Sequence, residues 1–218
     1  MFTIGITERK ERERLARKIE IINAAEKIFF EKGFENSTMD DIAKEAEFTK
    51  KTIYSYFKSK DELYFEIMLS GFNVLNELFD KVIKEDIKSN EFEKISKFGK
   101  VFVEFSKNYP GYFTAIADYE NKDFDFKDED DNFLIKKCYT AGQYSIELLK
   151  SCIINGIKKG ELIDNADSNT ICLLLWSTMM GYIGLLNKKE KYINAYYDKN
   201  VEDLIEDGIN ILLKSIKK

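Results

Sequence analysis

Apolar residues recur along most of this chain three and four positions apart, the spacing of one face of an α-helix. Ile21, Ile22, Ala25, Ile28 and Phe29 form the first such face, and Gly33 is expected to end that helix as a left-handed cap. Residues 1–14 read as fraying, although the alternating signs from Glu8 to Lys18 can extend the helix backwards through i,i+4 pairs. Ser37 or Thr38 can cap a second helix, with Asp40 and Asp41 at its positive end and Ile42, Ala43 and Ala46 facing inward. A turn at Ala46-Glu47-Phe48 leads to Thr49, the expected cap of a helix over Lys50–Phe57 with Ile53 and Phe57 inward. Ser59 and Glu62 make a capping box, so a longer helix is predicted from about Lys60 to the mid-80s. Asn90 with Glu93, and then Pro110, mark two further starts. Helices follow at about 133–159 and 168–188. The last is the most regular, with Val201, Leu204, Ile205, Gly208, Ile209, Leu212, Leu213 and Ile216 in register. The expectation is an all-α protein of about nine helices.

Composition supports this and narrows the chemistry. One proline and 11 glycines in 218 residues suit a helical chain long enough to bury roughly 70% of its unfolded surface. Histidine is absent, which removes the commonest general base and metal ligand together. With no nucleophile motif and no glycine-rich phosphate loop, an enzyme is not expected, nor a cofactor. Cys138, Cys152 and Cys172 are too far apart for a CxxC-type metal site and sit among apolar residues, so they read as reduced core thiols. No metal is expected.

Ser168–Asn187 carries no charge and is long enough to span a bilayer. Asn169, Thr170, Ser177, Thr178 and Asn187 dilute it and charged segments flank it. It reads instead as a helix buried within its domain and against a partner subunit. No basic-then-apolar leader is seen, so a cytoplasmic protein without a membrane partner is expected.

The net charge of −5 argues against nonspecific nucleic-acid binding, but it is unevenly spread. Residues 1–60 hold 13 Lys/Arg against 11 Asp/Glu, and residues 61–218 hold 21 against 28. Within the first part, Phe48–Lys60 (FTKKTIYSYFKSK) has four lysines, two tyrosines, four aliphatic hydroxyls and no acid. A Lys/Tyr-rich helix taken alone is usually a solvated face. Placed as the second helix of a helix-turn-helix pattern, it has the donors a phosphate backbone requires.

Three stretches carry a family resemblance: Ile21-Ile22-x-Ala24-Ala25-x-x-Ile28-Phe29-x-x-Lys32-Gly33-Phe34, Thr38-x-x-x-Ile42-Ala43-x-x-Ala46-x-Phe48-Thr49-Lys50, and Thr52-Ile53-Tyr54-x-Tyr56-Phe57-x-Ser59-Lys60-x-Glu62-Leu63. Over about residues 19–65 the chain resembles the DNA-binding domain of the TetR/AcrR family of transcriptional regulators. The resemblance implies a helix-turn-helix DNA-binding domain over 1–62 and a helical effector-binding and dimerisation domain over 63–218. It also implies a homodimeric repressor of a double-stranded operator, released by a small molecule. Residue by residue, it places Thr38, Thr49, Lys50, Tyr54, Tyr56 and Lys60 on the DNA. Lys51, Thr52 and Ser55 are the better candidates for base edges. The sequence departs from the family pattern at Glu47 and Lys51, where glycine is frequent, and at Ser55, where an aromatic is common. These departures bear on the operator sequence.

The rest of the chain is read from its chemistry. Aromatic and sulfur side chains are dense in its centre, mostly as packing; Tyr112, Tyr139, Trp176 and Met180 are the candidates to line an effector pocket, for a lipophilic or cationic ligand. The loop 118–131, eight acids against two lysines, lacks the EF-hand pattern and reads as solvated. The last two helices have apolar faces suited to a two-fold four-helix contact between subunits. A ligand that tilts the long fourth helix would change the separation of the two reading heads. The alternative is a TetR-like regulator that has no small-molecule ligand and answers to a protein partner; a filled core would favour it.

Overall fold

The computed structural model describes residues 5–85, 89–120 and 133–218. Ten helices are present among them: α1 (Ile6–Lys32), α2 (Met39–Glu45), α3 (Lys50–Tyr54), α4 (Lys60–Glu85), α5 (Glu91–Asn108), α6 (Pro110–Glu120), α7 (Phe133–Lys158), α8 (Ser168–Lys188), α9 (Glu190–Tyr197) and α10 (Val201–Ser215). Most of the acidic loop lies outside the described residues. The chain divides into two compact units, Met1–Leu69 and Ser70–Lys218.

In the first unit α1 buries Ile21, Ala24, Ala25, Ile28 and Phe29 against Ile42 and Ala43 of α2, Ile53 of α3, and Leu63 and Ile67 of α4. Those positions follow the 3.6-residue period, so one stripe of each helix reaches a common centre. Phe29, Phe34 and Tyr64 close one end, with ring centres 4.6–5.6 Å apart. The helix starts earlier than fraying would allow. Arg9–Glu13 at 3.0 Å and Arg12–Glu8 at 3.5 Å are the i,i+4 pairs that continue it back to Ile6. Gly33 does end α1, its N–H donating to the Phe29 carbonyl; at φ 79° and ψ 157° it is not in the left-handed helical well but in a neighbouring region that only glycine enters readily.

In the second unit α5 lies at the centre, packed by α6, α7, α8 and α10. It buries Ile95, Phe98, Phe102 and Phe105. Its first turn is tied down by charge as well as by the Asn90–Glu93 capping box. Glu161 Oε2 accepts the N–H groups of Glu91 and Phe92 at 2.6 and 3.2 Å, and the buried Glu91 carboxylate accepts from Lys159 (2.7 Å) and Lys94 (3.2 Å). Burial pushes the Glu91 carboxyl upward, but the two ammonium hydrogen bonds outweigh it and hold it below its ordinary value. The three cysteines are buried and none forms a disulfide; burial pushes the Cys152 and Cys172 thiols up to about 11, so neither is a ready nucleophile.

Two elements differ from the sequence pattern. α3 is a short helix, Lys50–Tyr54; Phe57 still reaches the core, through a turn in which the Tyr56 and Phe57 N–H groups both donate to the Ile53 carbonyl. α9 was not expected. It buries none of its residues, so no core-facing stripe announces it; Tyr192 and Tyr196 stack on each other, Tyr197 meets both edge-on, and the helix lies beside α8 and α10. The uncharged segment is α8, firmly capped by Asp167, whose carboxylate accepts from Asn169 and Thr170. It is the one helix among the described residues long and apolar enough to cross a membrane, and 39% of its most apolar window is buried.

Candidate nucleic-acid interface

The α2–α3 corner is fixed by backbone hydrogen bonds: Ala46 N–H to the Ile42 carbonyl at 2.9 Å and Phe48 N–H to the Ala43 carbonyl at 3.0 Å. Between them Glu47 takes φ 56°, the left-handed region. Thr49 then caps α3, its hydroxyl accepting the Thr52 N–H at 3.2 Å. Ile53 and Phe57 are buried, and that orientation sends Lys50, Lys51, Tyr54 and Ser55 outward. Tyr54 is 47% exposed.

The other candidates stand around this face in different states. The Thr38 hydroxyl accepts the Asp41 N–H at 3.1 Å and the Thr38 N–H donates to the Asp41 carboxylate at 3.0 Å, a complete capping box at the start of α2; the hydroxyl also donates to that carboxylate at 2.6 Å. Lys32 donates to that carboxylate too, and its hydrogen bond, followed by those of Thr38, holds Asp41 at about 2. Lys50 donates to Asp40 at 2.9 Å, and this bond raises its pKa. Thr49 and Thr52 hydroxyls lie 2.9 Å apart, and Ser55 Oγ donates to the Thr52 carbonyl at 2.6 Å. Tyr56 is half-buried. Lys51 and Lys58 are exposed, with no ion pair among the described residues. Lys58, one of the four lysines of the Phe48–Lys60 stretch, lies past the end of α3 in the bend before α4.

Lys60 is the most constrained of the set. Its ammonium donates to the Phe34 carbonyl at 2.6 Å and the Ser37 carbonyl at 3.0 Å, and lies 4.1 Å from the centre of the Phe34 ring. An ammonium has three N–H groups, so one remains for an outside acceptor.

Comparison with known proteins fits this geometry. Residues 21–67 match the family model described as bacterial regulatory proteins, tetR family. Over that stretch the chain carries a TetR-family DNA-binding domain. Among curated relatives, the uncharacterized HTH-type transcriptional regulator YfiR of Bacillus subtilis is 34% identical over 82 residues, 38% of each protein. The negative regulator IcaR of the biofilm operon icaADBC in Staphylococcus aureus is 36% identical over 73 residues, 34% of this chain and 38% of that protein. The match therefore spans less than two fifths of these relatives. Over nearly the whole chain the TetR-family fold recurs in solved structures. FadR from Bacillus subtilis, solved in complex with stearoyl-CoA, has a TM-score of 0.69 at 18% identity, covering 91% of this chain and 98% of that one. PfmR from Thermus thermophilus has a TM-score of 0.62 at 17% identity, covering 89% and 97%.

Within this TetR-family domain, Glu47 occupies a left-handed backbone position that costs a side-chain-bearing residue about 1 kcal/mol or more. Glu47→Gly is expected to raise the unfolding midpoint slightly and, by removing an acid beside α3, to tighten DNA binding several-fold. Denaturation and a titration at fixed salt check this; weaker binding would mean Glu47 makes a contact of its own. Lys60→Met should do two things. Losing two charge-assisted bonds should cost about 2 kcal/mol of stability, and losing one phosphate contact should lower the salt slope of binding by about 0.9 per subunit. A lower midpoint with an unchanged slope would confine Lys60 to an internal tie.

The effector candidates do not converge on one cavity. Trp176 lines a small apolar cavity of about 20 Å³ with Phe79, Phe98, Phe102, Leu149 and Met179. Met180, one turn further along α8, opens instead on a groove of about 560 Å³ with Phe113, Thr114, Asp118, Leu185 and Lys188. Tyr112 on α6 packs closely over Gly71 of α4 and stacks on Tyr109 with ring centres 6.3 Å apart. Tyr139 is half-buried on α7.

Proposed function

We propose that this regulator is a cytoplasmic homodimer that binds a palindromic operator, setting α3 of each subunit into the major groove of one half-site, about one helical turn from the other. Thr38, Thr49, Lys50, Tyr54, Tyr56 and Lys60 contact phosphates, while Lys51, Thr52 and Ser55 read base edges. The observation that carries this reading is the outer face of α3, a helix without an acid of its own, where hydroxyl, phenol and ammonium groups stand outward and only the Lys50 ammonium is paired, with Asp40 of α2. Dimerisation runs through α8 and α10. Leu173, Leu174 and Leu185 on α8 and Ile211 on α10, the last 70% exposed, are large apolar side chains that a second copy would cover.

The regulator acts as a repressor, as the name of the IcaR relative suggests, and a small lipophilic or cationic molecule releases it. The groove of about 560 Å³ between α5, α6 and α8 supports such a ligand, since apolar Phe113, Met180 and Leu185 line it together with Asp118, Asn187 and Lys188. α4 supplies the lever. Its second half is held in the second unit by Asn76, which donates to the Ala141 carbonyl at 3.0 Å and accepts from Ser145, and by Asp80, which accepts from Tyr144 at 2.6 Å. A hundredfold loss of operator affinity requires a ligand preference of about 2.7 kcal/mol for the non-binding state. One observation favours the second reading, a regulator controlled by a protein partner: the interior apolar cavity holds only about 20 Å³.

Native mass spectrometry of the purified protein tests both points. A dimer carrying a small molecule, with operator affinity restored when that molecule is removed, is the expected result. A dimer that binds no small molecule and loses no operator affinity with cell-extract metabolites would establish the second reading.

A further inference from the structure

The chain has four arginines and thirty lysines, and all four arginines fall within residues 9–17. Every other cationic position is lysine, so arginine in this one stretch is not a drift of composition. Arginine differs from lysine in presenting a planar fork of donors that matches phosphate oxygens two at a time. The stretch lies in the first turns of α1, ahead of the 21–67 match.

The four arginines have different roles. Arg9 and Arg12 are tied to Glu13 and Glu8 along the helix. Arg14 and Arg17, with Lys10, are exposed and make no ion pair among the described residues. Their spacing, i, i+4 and i+7, puts the three on one face. At 1.5 Å per residue that stripe is about 10 Å long, enough for about three phosphates of one DNA strand at 3.4 Å of axis each. The stripe also begins beside the recognition element. Lys18, the next residue after Arg17, has its ammonium 5.6 Å from the centre of the Phe57 ring, just past the end of α3, and is paired with Glu66.

We infer that Lys10, Arg14 and Arg17 form a second DNA contact in which the first turns of α1 lie along the phosphate backbone flanking the half-site read by α3. The inference rests on the operator-binding reading and adds to it a sequence-independent clamp on flanking duplex. Such a contact lengthens the footprint and strengthens the salt dependence without changing the preferred bases.

The test uses full-length protein and a duplex selected from a random pool, carrying about ten extra base pairs on each side. The triple variant Lys10→Ala/Arg14→Ala/Arg17→Ala is compared with the unaltered protein across a salt series. The slope of log affinity against log salt is expected to fall by about 2.7 per subunit, from three contacts at about 0.9 each. The two proteins should converge on a duplex trimmed to the half-sites. Arg14→Lys/Arg17→Lys should keep most of the slope. The substituted side chains are exposed, and far-ultraviolet circular dichroism confirms that helicity is retained.

An unchanged slope for the triple variant, with Lys51→Ala still losing discrimination between duplexes, overturns the clamp and leaves the operator reading standing. Failure of the unaltered protein to prefer any duplex overturns both. Binding to phosphatidylglycerol vesicles that the triple variant abolishes, with its DNA slope unchanged, would assign the stripe to a lipid surface and overturn the clamp as well.

Discussion

Lys51→Ala/Thr52→Ala is expected to lower affinity for the selected operator by about a thousandfold while leaving affinity for unrelated duplex nearly unchanged. The magnitude follows from two base contacts in each of two subunits, at about 1 kcal/mol or more apiece. Their local environment makes the test clean. Lys51 is exposed, and the Thr52 side chain contributes only a hydroxyl contact with Thr49, while the cap itself runs from the Thr52 N–H to Thr49 Oγ1 and survives the change. Stability should therefore shift by less than about 0.5 kcal/mol, as for exposed positions generally. Paired titrations against specific and scrambled duplexes separate the two effects. Equal losses on both would move Lys51 and Thr52 from base edges to phosphates.

Phe72→Ala is expected to cost about 3–5 kcal/mol of stability, the largest effect of any single substitution considered, against a total in the range of about 5–15 kcal/mol. Phe72 on α4 is 1% exposed. Its ring lies against Gly142 of α7 so closely that a Cβ on that glycine would fall 3.1 Å from Cζ. The neighbours cannot collapse into the space easily, because Asn76 and Ser145 are locked to each other one turn away. Denaturation followed by Trp176 fluorescence should show a midpoint lower by about 10 °C for a chain of this size. A loss under about 1 kcal/mol would mean that α4 is held by its polar contacts rather than by packing.

The helices that bury a regular stripe were legible in the sequence. α10 is the plainest case, with Val201, Ile205, Ile209 and Leu213 buried at the repeat its apolar residues set. The cap of α5 was equally legible, at Asn90–Glu93; that of α2 was legible only as Ser37 or Thr38, and Thr38 takes it because the Ser37 hydroxyl donates to the Gly33 carbonyl instead. α9 was not legible because it fully buries none of its residues, and period alone identifies a helix only when one side is buried. The early start of α1 was half legible, since the ion pairs that extend it were visible but their sufficiency was not.

Within the candidate interface, the sequence indicated which residue types stand on α3 and left their partners open. Lys60 meets the Phe34 and Ser37 carbonyls, 26 and 23 residues away, and no local pattern encodes a contact of that range. Glu47 in a left-handed conformation gives a physical reason why glycine suits that position. In the second unit, the density of aromatics was visible but their grouping was not. Trp176 and Met180 are one turn apart on α8, yet one turns toward Phe98 and Phe102 of α5 and the other toward Phe113 of α6.

Selection of duplexes from a random pool by the full-length protein, followed by determination of the mass of the complex, tests the central claim most directly. The expected result is an inverted repeat whose half-sites are about one helical turn apart, bound by two copies of the chain, with Lys51→Ala relaxing the preference at symmetric positions in both halves. Enrichment of no sequence, or of a non-repeated one bound by a single copy, would contradict it.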